Sequence, residues 1–346
     1  MLDAPPMAAP DPTAVAWRLA IPALIFSGAV QSVISPPINL WWLHPVSFVP
    51  ALWVLRRLGG GRALLAGWLM GIAANAAIFP WIVHTVQTFS NLPTWAAVLC
   101  LLAFAMVWGF YGAVFGWGLQ PILRRAGAWW PVAAAAWFTA CEYLNPQLFP
   151  YYQGVSWYQQ PAVFLVTGLT GVPGMTFGLL LCNAVLLALW LHRRDPTAAS
   201  RRALQRGAGT LALCVVVALG YSQLRLHKID AAEATAPVTR LGMVQTNLDV
   251  FRARAMRQRS RFANVNTYID QATEAVQADP DIDVLVFPEG GLRGTASAPH
   301  NMRARQFVRD FDVEIWTGAG TLAKWPDGTT GFQNSAVRIF GDGEVS

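Results

Sequence analysis

One segment of the sequence combines residue types that could carry out chemistry: Asp281 to Gly294, which reads DIDVLVFPEGGLRG. Its apolar run, Val284 to Phe287, predicts a short buried strand that delivers Glu289 to its carboxyl end. Ligands of open α/β sheets bind at that edge, so Glu289 is a candidate site residue. Gly290 and Gly291 keep the next turn narrow and are candidate substrate-binding residues. A solvated turn acid is the alternative interpretation of this segment by itself.

A second candidate group lies in the apolar part of the chain. Glu142 is the only acidic residue between positions 12 and 194, and an acid near a membrane span is costly unless it is paired, hydrated or functional. The loop that follows, Asn145 to Pro161, is rich in Tyr, Trp and Pro. We therefore predict that Glu142, Tyr151 and Tyr152 contact substrate. The alternatives are a helix-end acid that faces water and ordinary aromatic residues at the depth of the lipid headgroups.

The elements that must position these residues follow from composition. The 346 residues are 54% hydrophobic and only 13% charged, with a mean hydropathy of +0.37, whereas roughly a quarter of an ordinary soluble protein is charged. Apolar stretches close in length to the ~20 residues that a helix needs to cross a membrane predict a bundle of about seven helices in residues 17–228. They are 17–34, 40–55, 63–85, 94–120, 128–143, 162–191 and 208–223.

Arginines alternate between the loops of this bundle and predict its orientation. They occur after the second, fourth and sixth stretches, whereas the loops Ser35 to Asn39, Gln87 to Pro93 and Asn145 to Pro161 contain no Lys or Arg. By the positive-inside rule, residues 1–16 form a cytoplasmic segment and the tail lies on the far side. The net charge of +6 therefore reflects topology, and we expect no nucleic-acid partner.

The tail has a different pattern. Residues 229–237 predict a linker, and strands at Val238 to Gln245, Val284 to Phe287, 313–317 and 335–340 alternate with helices at Ala255 to Gln277 and 302–311. This alternation is typical of a layered α/β domain. Four strands and two helices are about half of such a domain. The basic segment Val250 to Arg261 predicts a solvated helix face, or else a contact with anionic lipid headgroups.

The order of motifs resembles one family. A multi-span bundle followed by MVQTNL, LVFPEGGL, WTGAG and QNSAVRIFGDGEV is similar to apolipoprotein N-acyltransferase, the membrane member of the nitrilase (carbon–nitrogen hydrolase) superfamily. Within the bundle, Ser35-Pro36, the segment Trp137 to Leu144 with Glu142, and Phe149-Pro150 leading to the segment Gly154 to Gln159 also resemble that family.

The resemblance implies a multi-span α-helical membrane bundle followed by the first half of a nitrilase-like α-β-β-α sandwich at 238–346, in the bacterial inner membrane with this half periplasmic. It also implies a Glu-Lys-Cys triad, with Glu289 as its base. In the family a Cys takes an acyl chain from a phospholipid as a thioester, and the amine of a diacylglyceryl-cysteine on an apolipoprotein then accepts it. The expected partners are thus a membrane phospholipid and an apolipoprotein, without cofactor or metal; the oligomeric state is left open.

The rest of the triad has no counterpart in the tail. All four cysteines precede residue 215, and Lys324, the only lysine after Lys228, lies in a WPDG loop with a surface role. The chain is therefore expected to be truncated at its C-terminus and inactive as given. FPEGGLRG also departs from the more usual acyltransferase pattern, PE-[ST/A]-A-[IL]-P. The alternatives are a divergent nitrilase-like membrane protein of the conjugal-transfer type, a non-catalytic membrane scaffold and, less favoured because the spans have few ionisable residues, a transporter.

Overall fold

The computed structural model describes residues 17–90, 92–247, 263–292 and 294–346. The chain divides into two compact units, Met1–Ala234 and Thr235–Ser346, here called the bundle and the α/β unit. The predicted cytoplasmic segment 1–16 and the whole basic segment Val250 to Arg261 lie outside the described residues, as does the first part of the predicted helix Ala255 to Gln277.

The bundle is helical wherever the sequence predicted an apolar stretch. Short 3-10 turns at Trp41–Leu43, Gly127–Trp129 and Gln153–Trp157 join some of its helices. The helices are α1 (Trp17–Ala29), α2 (Gln31–Ile34), α3 (His44–Ser47), α4 (Val49–Leu55), α5 (Gly60–Ile78), α6 (Trp81–Ser90), α7 (Thr94–Trp108), α8 (Phe110–Ala126), α9 (Trp130–Leu144), α10 (Pro161–Phe164), α11 (Thr167–Arg194) and α12 (Ala198–Glu233).

Five helical stretches of the described residues are long and apolar enough to cross a membrane, which identifies a multi-pass membrane protein. The number is not a count of membrane crossings, so the predicted seven stays a prediction. The stretch 40–55 is broken into short helices, and one of the five, Thr94–Leu144, contains both predicted stretches 94–120 and 128–143 with a reversal between them. The other spans are Trp17–Ile34, Gly60–Ile78, Thr167–Arg194 and Ala198–Glu233.

Small residues let the bundle helices approach closely. A Cβ added at Gly67 would meet the backbone of Gly112, and one added at Gly71 would meet Gly109. As the residue numbers of these contacts rise along α5, those of their partners fall, so α5 runs antiparallel to the α7–α8 stretch. Such glycine contacts are the usual means of helix association in lipid, where burial of apolar side chains provides no driving force.

The 51-residue stretch reverses direction at Gly127, whose φ of 51° favours glycine. Phe115 on α8 and Phe138 on α9 lie at nearly equal sequence distances from this turn. Their rings pack edge to face with centroids 5.1 Å apart, and both side chains are buried in the bundle core. The pair therefore holds α8 and α9 as an antiparallel hairpin.

The α/β unit is a four-stranded sheet of order β1-β2-β3-β4. Strands β1 (Leu241–Met243), β2 (Val284–Glu289) and β3 (Glu314–Lys324) are parallel, and β4 (Thr330–Ile339) pairs antiparallel with β3. Its helices are α13 (Ala263–Ala278) and α14 (Met302–Phe311), with a 3-10 turn at Pro299–Asn301. This fold confirms the predicted helical membrane bundle followed by a partial α/β domain.

The core of the α/β unit lies between the helices and the sheet. Leu285 and Ile315, on neighbouring strands, are fully buried, and the ring of Tyr268 on α13 stacks on Phe287 at 5.3 Å. The observed bounds differ from the predicted ones at the domain junction. Helix α12 continues to Glu233 through the first half of the predicted linker, and β1 is shorter than the predicted strand Val238 to Gln245.

Candidate functional site

Glu289 is the last residue of β2, in the middle of the parallel part of the sheet. The buried apolar residues of this strand fix its position, and the strand ends because Gly290 turns away with a φ of 73°. Gly291 closes the turn by donating its backbone N–H to Pro288 O at 2.9 Å. Glu289 therefore lies at the carboxyl end of a central strand, as predicted, and its side chain is exposed there.

Two residues that sequence reasoning did not single out position Glu289. Asn334 on β4 donates a hydrogen bond from Nδ2 to Glu289 Oε1 at 3.0 Å. Gly318 is the register partner of Glu289 on β3, and a Cβ there would lie 2.9 Å from Glu289 Cα. Both belong to motifs already noted, Gly318 to WTGAG and Asn334 to QNSAVRIF. The motifs could have drawn attention to these two residues, but only the strand register shows that both contact Glu289.

The carboxylate faces an open cleft of about 1480 Å³. Its walls combine the turn after β2 with residues 316–320 of β3 and 332–338 of β4, and include Gly290, Gly291, Gly318 and Asn334. A cleft of this size exceeds the usual range of about 300–1,000 Å³ for a small-molecule site. It therefore has room for a bulky substrate beside the one carboxylate.

An ion pair fixes the strands beneath the cleft. Arg338 on β4 makes a two-point contact with Glu314 on β3, through Nη2 to Oε1 at 2.5 Å and Nε to Oε2 at 2.8 Å. The hydrogen bonds from Arg338 hold the pKa of the Glu314 carboxyl below its ordinary value. The same pair raises the pKa of the Arg338 guanidinium. This contact reinforces the β3–β4 register that places Asn334 next to Glu289.

The second group of candidates lies in the bundle. Glu142, near the end of α9, is only 3% exposed, so it does not face water as a helix-end acid would. Its Oε1 accepts the backbone N–H of Gln153 at 2.8 Å, and its Oε2 accepts the hydroxyl of Thr176 on α11 at 2.8 Å. These contacts join α9, the loop after it and α11.

The two predicted tyrosines have different environments. The hydroxyl of Tyr151 lies 2.5 Å from Ser35 Oγ, and its ring is one wall of a small cavity that Glu142 also lines. Burial raises the pKa of Tyr151; the hydrogen bond with Ser35 opposes this effect and the Glu142 charge adds to it. Tyr152 precedes the 3-10 turn Gln153–Trp157, and its carbonyl accepts the Val155 N–H at 2.9 Å. Tyr152 lines neither cavity.

The candidates thus form two sets, one in each unit: Glu289 with Gly290 and Gly291, and Glu142 with Tyr151. Lys324 is exposed at the end of β3 and is not among the residues that line the cleft. The four cysteines lie on bundle helices α7, α9, α11 and α12. Among the described residues of the α/β unit, Glu289 is an acid at the end of a central strand that faces a cleft, which is where ligands bind in open α/β sheets.

Comparison with known proteins agrees with the resemblance drawn from the motifs. Residues 27–185 match the model of the apolipoprotein N-acyltransferase N-terminal domain. Similar proteins include the apolipoprotein N-acyltransferases of Vibrio cholerae, 25% identical over 280 residues (78% of this chain, 50% of the relative), and Pseudomonas aeruginosa, 24% identical over 324 residues (92% and 60%). That of Photobacterium profundum is 32% identical over 98 residues (28% and 18%).

These matches confirm the predicted resemblance to the apolipoprotein N-acyltransferases. The family model extends from the last turn of α1 into α11 and includes Glu142 and Tyr151. The chain spans about half the length of the curated relatives that it matches along most of its own length.

Proposed function

We propose that this chain is part of a lipoprotein N-acyltransferase of the nitrilase superfamily, and that Glu289 is its general base. The observation that carries the proposal is the position of Glu289, at the carboxyl end of a central parallel strand, oriented by Asn334 Nδ2 at 3.0 Å and facing the cleft. The matches to acyltransferases along the bundle and into the α/β unit support the reaction class.

The proposed chemistry is acyl transfer in two steps. Glu289 removes the proton of a cysteine thiol, the thiolate attacks a phospholipid ester, and the proton passes to the lysophospholipid oxygen that leaves. The amine of the lipoprotein acceptor then attacks the thioester. Glu289 takes the amine proton as the amide forms, and the proton returns to the thiolate that leaves. Residues 238–346 contain no cysteine, so the proposal assigns the base, and not the nucleophile, to this segment.

We also propose that the chain lies in the bacterial inner membrane with its α/β unit in the periplasm. The alternation of arginines between loops supports this orientation. Alkaline phosphatase fused after residue 346 should then be active, because that enzyme needs the oxidising periplasm to form its disulfides. Activity of the phosphatase only when it is fused to the loop that contains Arg56 and Arg62 would reverse the orientation.

The enzymatic proposal is tested by complementation. A strain depleted of its own acyltransferase should grow, and should N-acylate its lipoproteins, when it carries the gene that contains this sequence. Glu289→Gln should lower the acylation rate by about 10²–10⁴-fold, the usual contribution of a general base. Glu274→Gln, an exposed acid on α13, is the matched control and should leave the rate unchanged.

Two outcomes would count against the proposal in different ways. Full activity of Glu289→Gln would remove Glu289 from the mechanism but leave the acyltransferase assignment intact. A gene product that accumulates in the membrane without any acyl transfer would instead favour the non-catalytic scaffold.

A further inference from the structure

A small cavity lies within the bundle next to Glu142, in addition to the cleft of the α/β unit. Its volume is about 20 Å³. A site needs about 10–15 Å³ to hold one water molecule. The cavity therefore accepts a single particle of about the size of water and excludes any larger group.

The cavity contains a carboxylate without a charged partner. Glu142 lines it, is 3% exposed and accepts hydrogen bonds from Gln153 N and Thr176 Oγ1 at 2.8 Å each. Among the described residues Glu142 forms no ion pair; the ion pairs found there all lie in the α/β unit. Two neutral donors do not balance a full negative charge inside an apolar bundle.

The amide of Gln153 adds an acceptor to the cavity, whose lining also includes two hydroxyl-bearing residues, Tyr111 and Tyr151. Within the described part of the chain, Oε1 of Gln153 accepts no hydrogen bond, although Gln153 is only 1% exposed. The two asparagines of the lining use their Nδ2 groups on backbone carbonyls, Asn75 on Gly71 O at 3.0 Å and Asn145 on Trp108 O at 3.2 Å. Gln153 Oε1 is therefore the oxygen that the lining offers to a ligand.

Aromatic rings form the rest of the wall. Phe79 lies 6.1 Å from Phe149 and 6.4 Å from Tyr151 between ring centroids, and all three line the cavity. The carboxylate and the amide oxygen are therefore the groups of the lining that favour positive charge, and the rings surround them.

We propose that the cavity beside Glu142 binds one small monovalent cation, with Glu142 and Gln153 Oε1 as its principal ligands. A single carboxylate matches a single positive charge, and the volume matches an ion of the size of sodium or ammonium. The ion neutralises Glu142 and links α9, the loop at Gln153 and α11, so its binding stabilises the bundle. This site is independent of the proposed acyl transfer.

The unfolding midpoint of the purified chain in detergent micelles tests the proposal. Unfolding is followed in sodium chloride, ammonium chloride and choline chloride at equal ionic strength, and choline serves as the cation that is too large for the cavity. A cation at ten times its Kd should raise the ratio of folded to unfolded protein about 11-fold over choline. Equal midpoints in all three salts would overturn the proposal and leave only water in the cavity.

Variants locate the effect. Glu142→Gln should abolish the difference between sodium or ammonium and choline, whereas Asp195→Asn, which removes an exposed acid of the bundle, should preserve it. If Glu142→Gln does not fold, Gln153→Leu replaces it, because the Gln153 backbone N–H that Glu142 accepts is unchanged. Gln153→Leu should weaken the apparent affinity for the cation at least threefold. An undiminished effect in both variants would show that the cation binds elsewhere and would refute the assignment.

Discussion

Replacement of Gly318 by alanine tests how tightly the sheet constrains Glu289. Gly318 lies opposite Glu289 in the β2–β3 register, and an added Cβ would lie 2.9 Å from Glu289 Cα and 3.3 Å from its Cγ. Carbon atoms in favourable contact are about 3.5–4.0 Å apart, so the two strands must separate by at least about 0.6 Å. Because one contact is a backbone atom, rotation of the Glu289 side chain cannot relieve the clash.

The size of the effect follows from that displacement. Overpacking costs about 1–3 kcal/mol, and removal of a strand glycine returns about 0.5–1 kcal/mol, so a net loss of about 0–2 kcal/mol in stability is expected. Activity should fall further, because a displacement of 1 Å at a reacting group can cost about 10²-fold. For about 0.6 Å we expect a decrease of roughly tenfold in the rate of lipoprotein N-acylation.

The assay compares acylation rates in membranes that contain equal amounts of variant and wild-type protein. Gly209→Ala is the control, because a Cβ at Gly209 meets no atom within 4 Å; its rate should equal that of the wild type. A Gly318→Ala protein with the wild-type rate would refute the argument that contact with β3 fixes the position of the base.

Three further predictions concern stability. Ile315→Ala removes a fully buried side chain from the core of the α/β unit and should cost about 2–5 kcal/mol in denaturant unfolding, whereas exposed Thr330→Ala should cost far less. Gly112→Leu places a side chain against the backbone of Gly67 and should lower the unfolding midpoint of the bundle, whereas Gly209→Leu should not. Because Arg338 lowers the pKa of Glu314 from its ordinary 4.5, the ion pair stabilises the fold above that pH and is lost as the pH falls through the lowered pKa. The stability difference between wild type and Arg338→Gln should therefore be constant near pH 7 and shrink below about pH 4, as measured by denaturant unfolding.

The elements that sequence reasoning predicted best are those that bury one apolar face. Helix α14, predicted at 302–311, has those bounds, because its buried residues Ala304, Phe307 and Val308 recur with helical spacing. The hairpin was predicted less well. Strands β3 and β4 extend well beyond the predicted 313–317 and 335–340, as far as the turn at 325–329. Backbone pairing extends them past the last buried residues, and the side-chain pattern does not report such pairing.

The breaks within the bundle differ in how well the sequence predicts them. The predicted stretches 94–120 and 128–143 are separate, as the reversal at Gly127 requires, because Arg124 and Arg125 interrupt the apolar residues there. The slight break at Gly109, where α7 and α8 meet, lies inside one apolar stretch and was not predicted. An apolar pattern gives no sign of such a break, since the residues on both sides of it are equally apolar.

The two acids selected from the sequence show where prediction of a site stops. Each lies at or near the end of an apolar element, Glu289 on a strand and Glu142 on a helix, so both were recognisable as carboxylates held near an apolar environment. Their surroundings are opposite. Glu289 is exposed to a large cleft and accepts from Asn334, 45 residues away, whereas Glu142 is buried and accepts from Thr176, 34 residues away. Contacts at these separations depend on strand register and helix packing, which local sequence does not encode. An exposed carboxylate can reach a substrate and exchange its proton, whereas a buried one must be neutralised where it lies. The different surroundings therefore support acid–base chemistry as the proposed role of Glu289 and cation binding as the proposed role of Glu142.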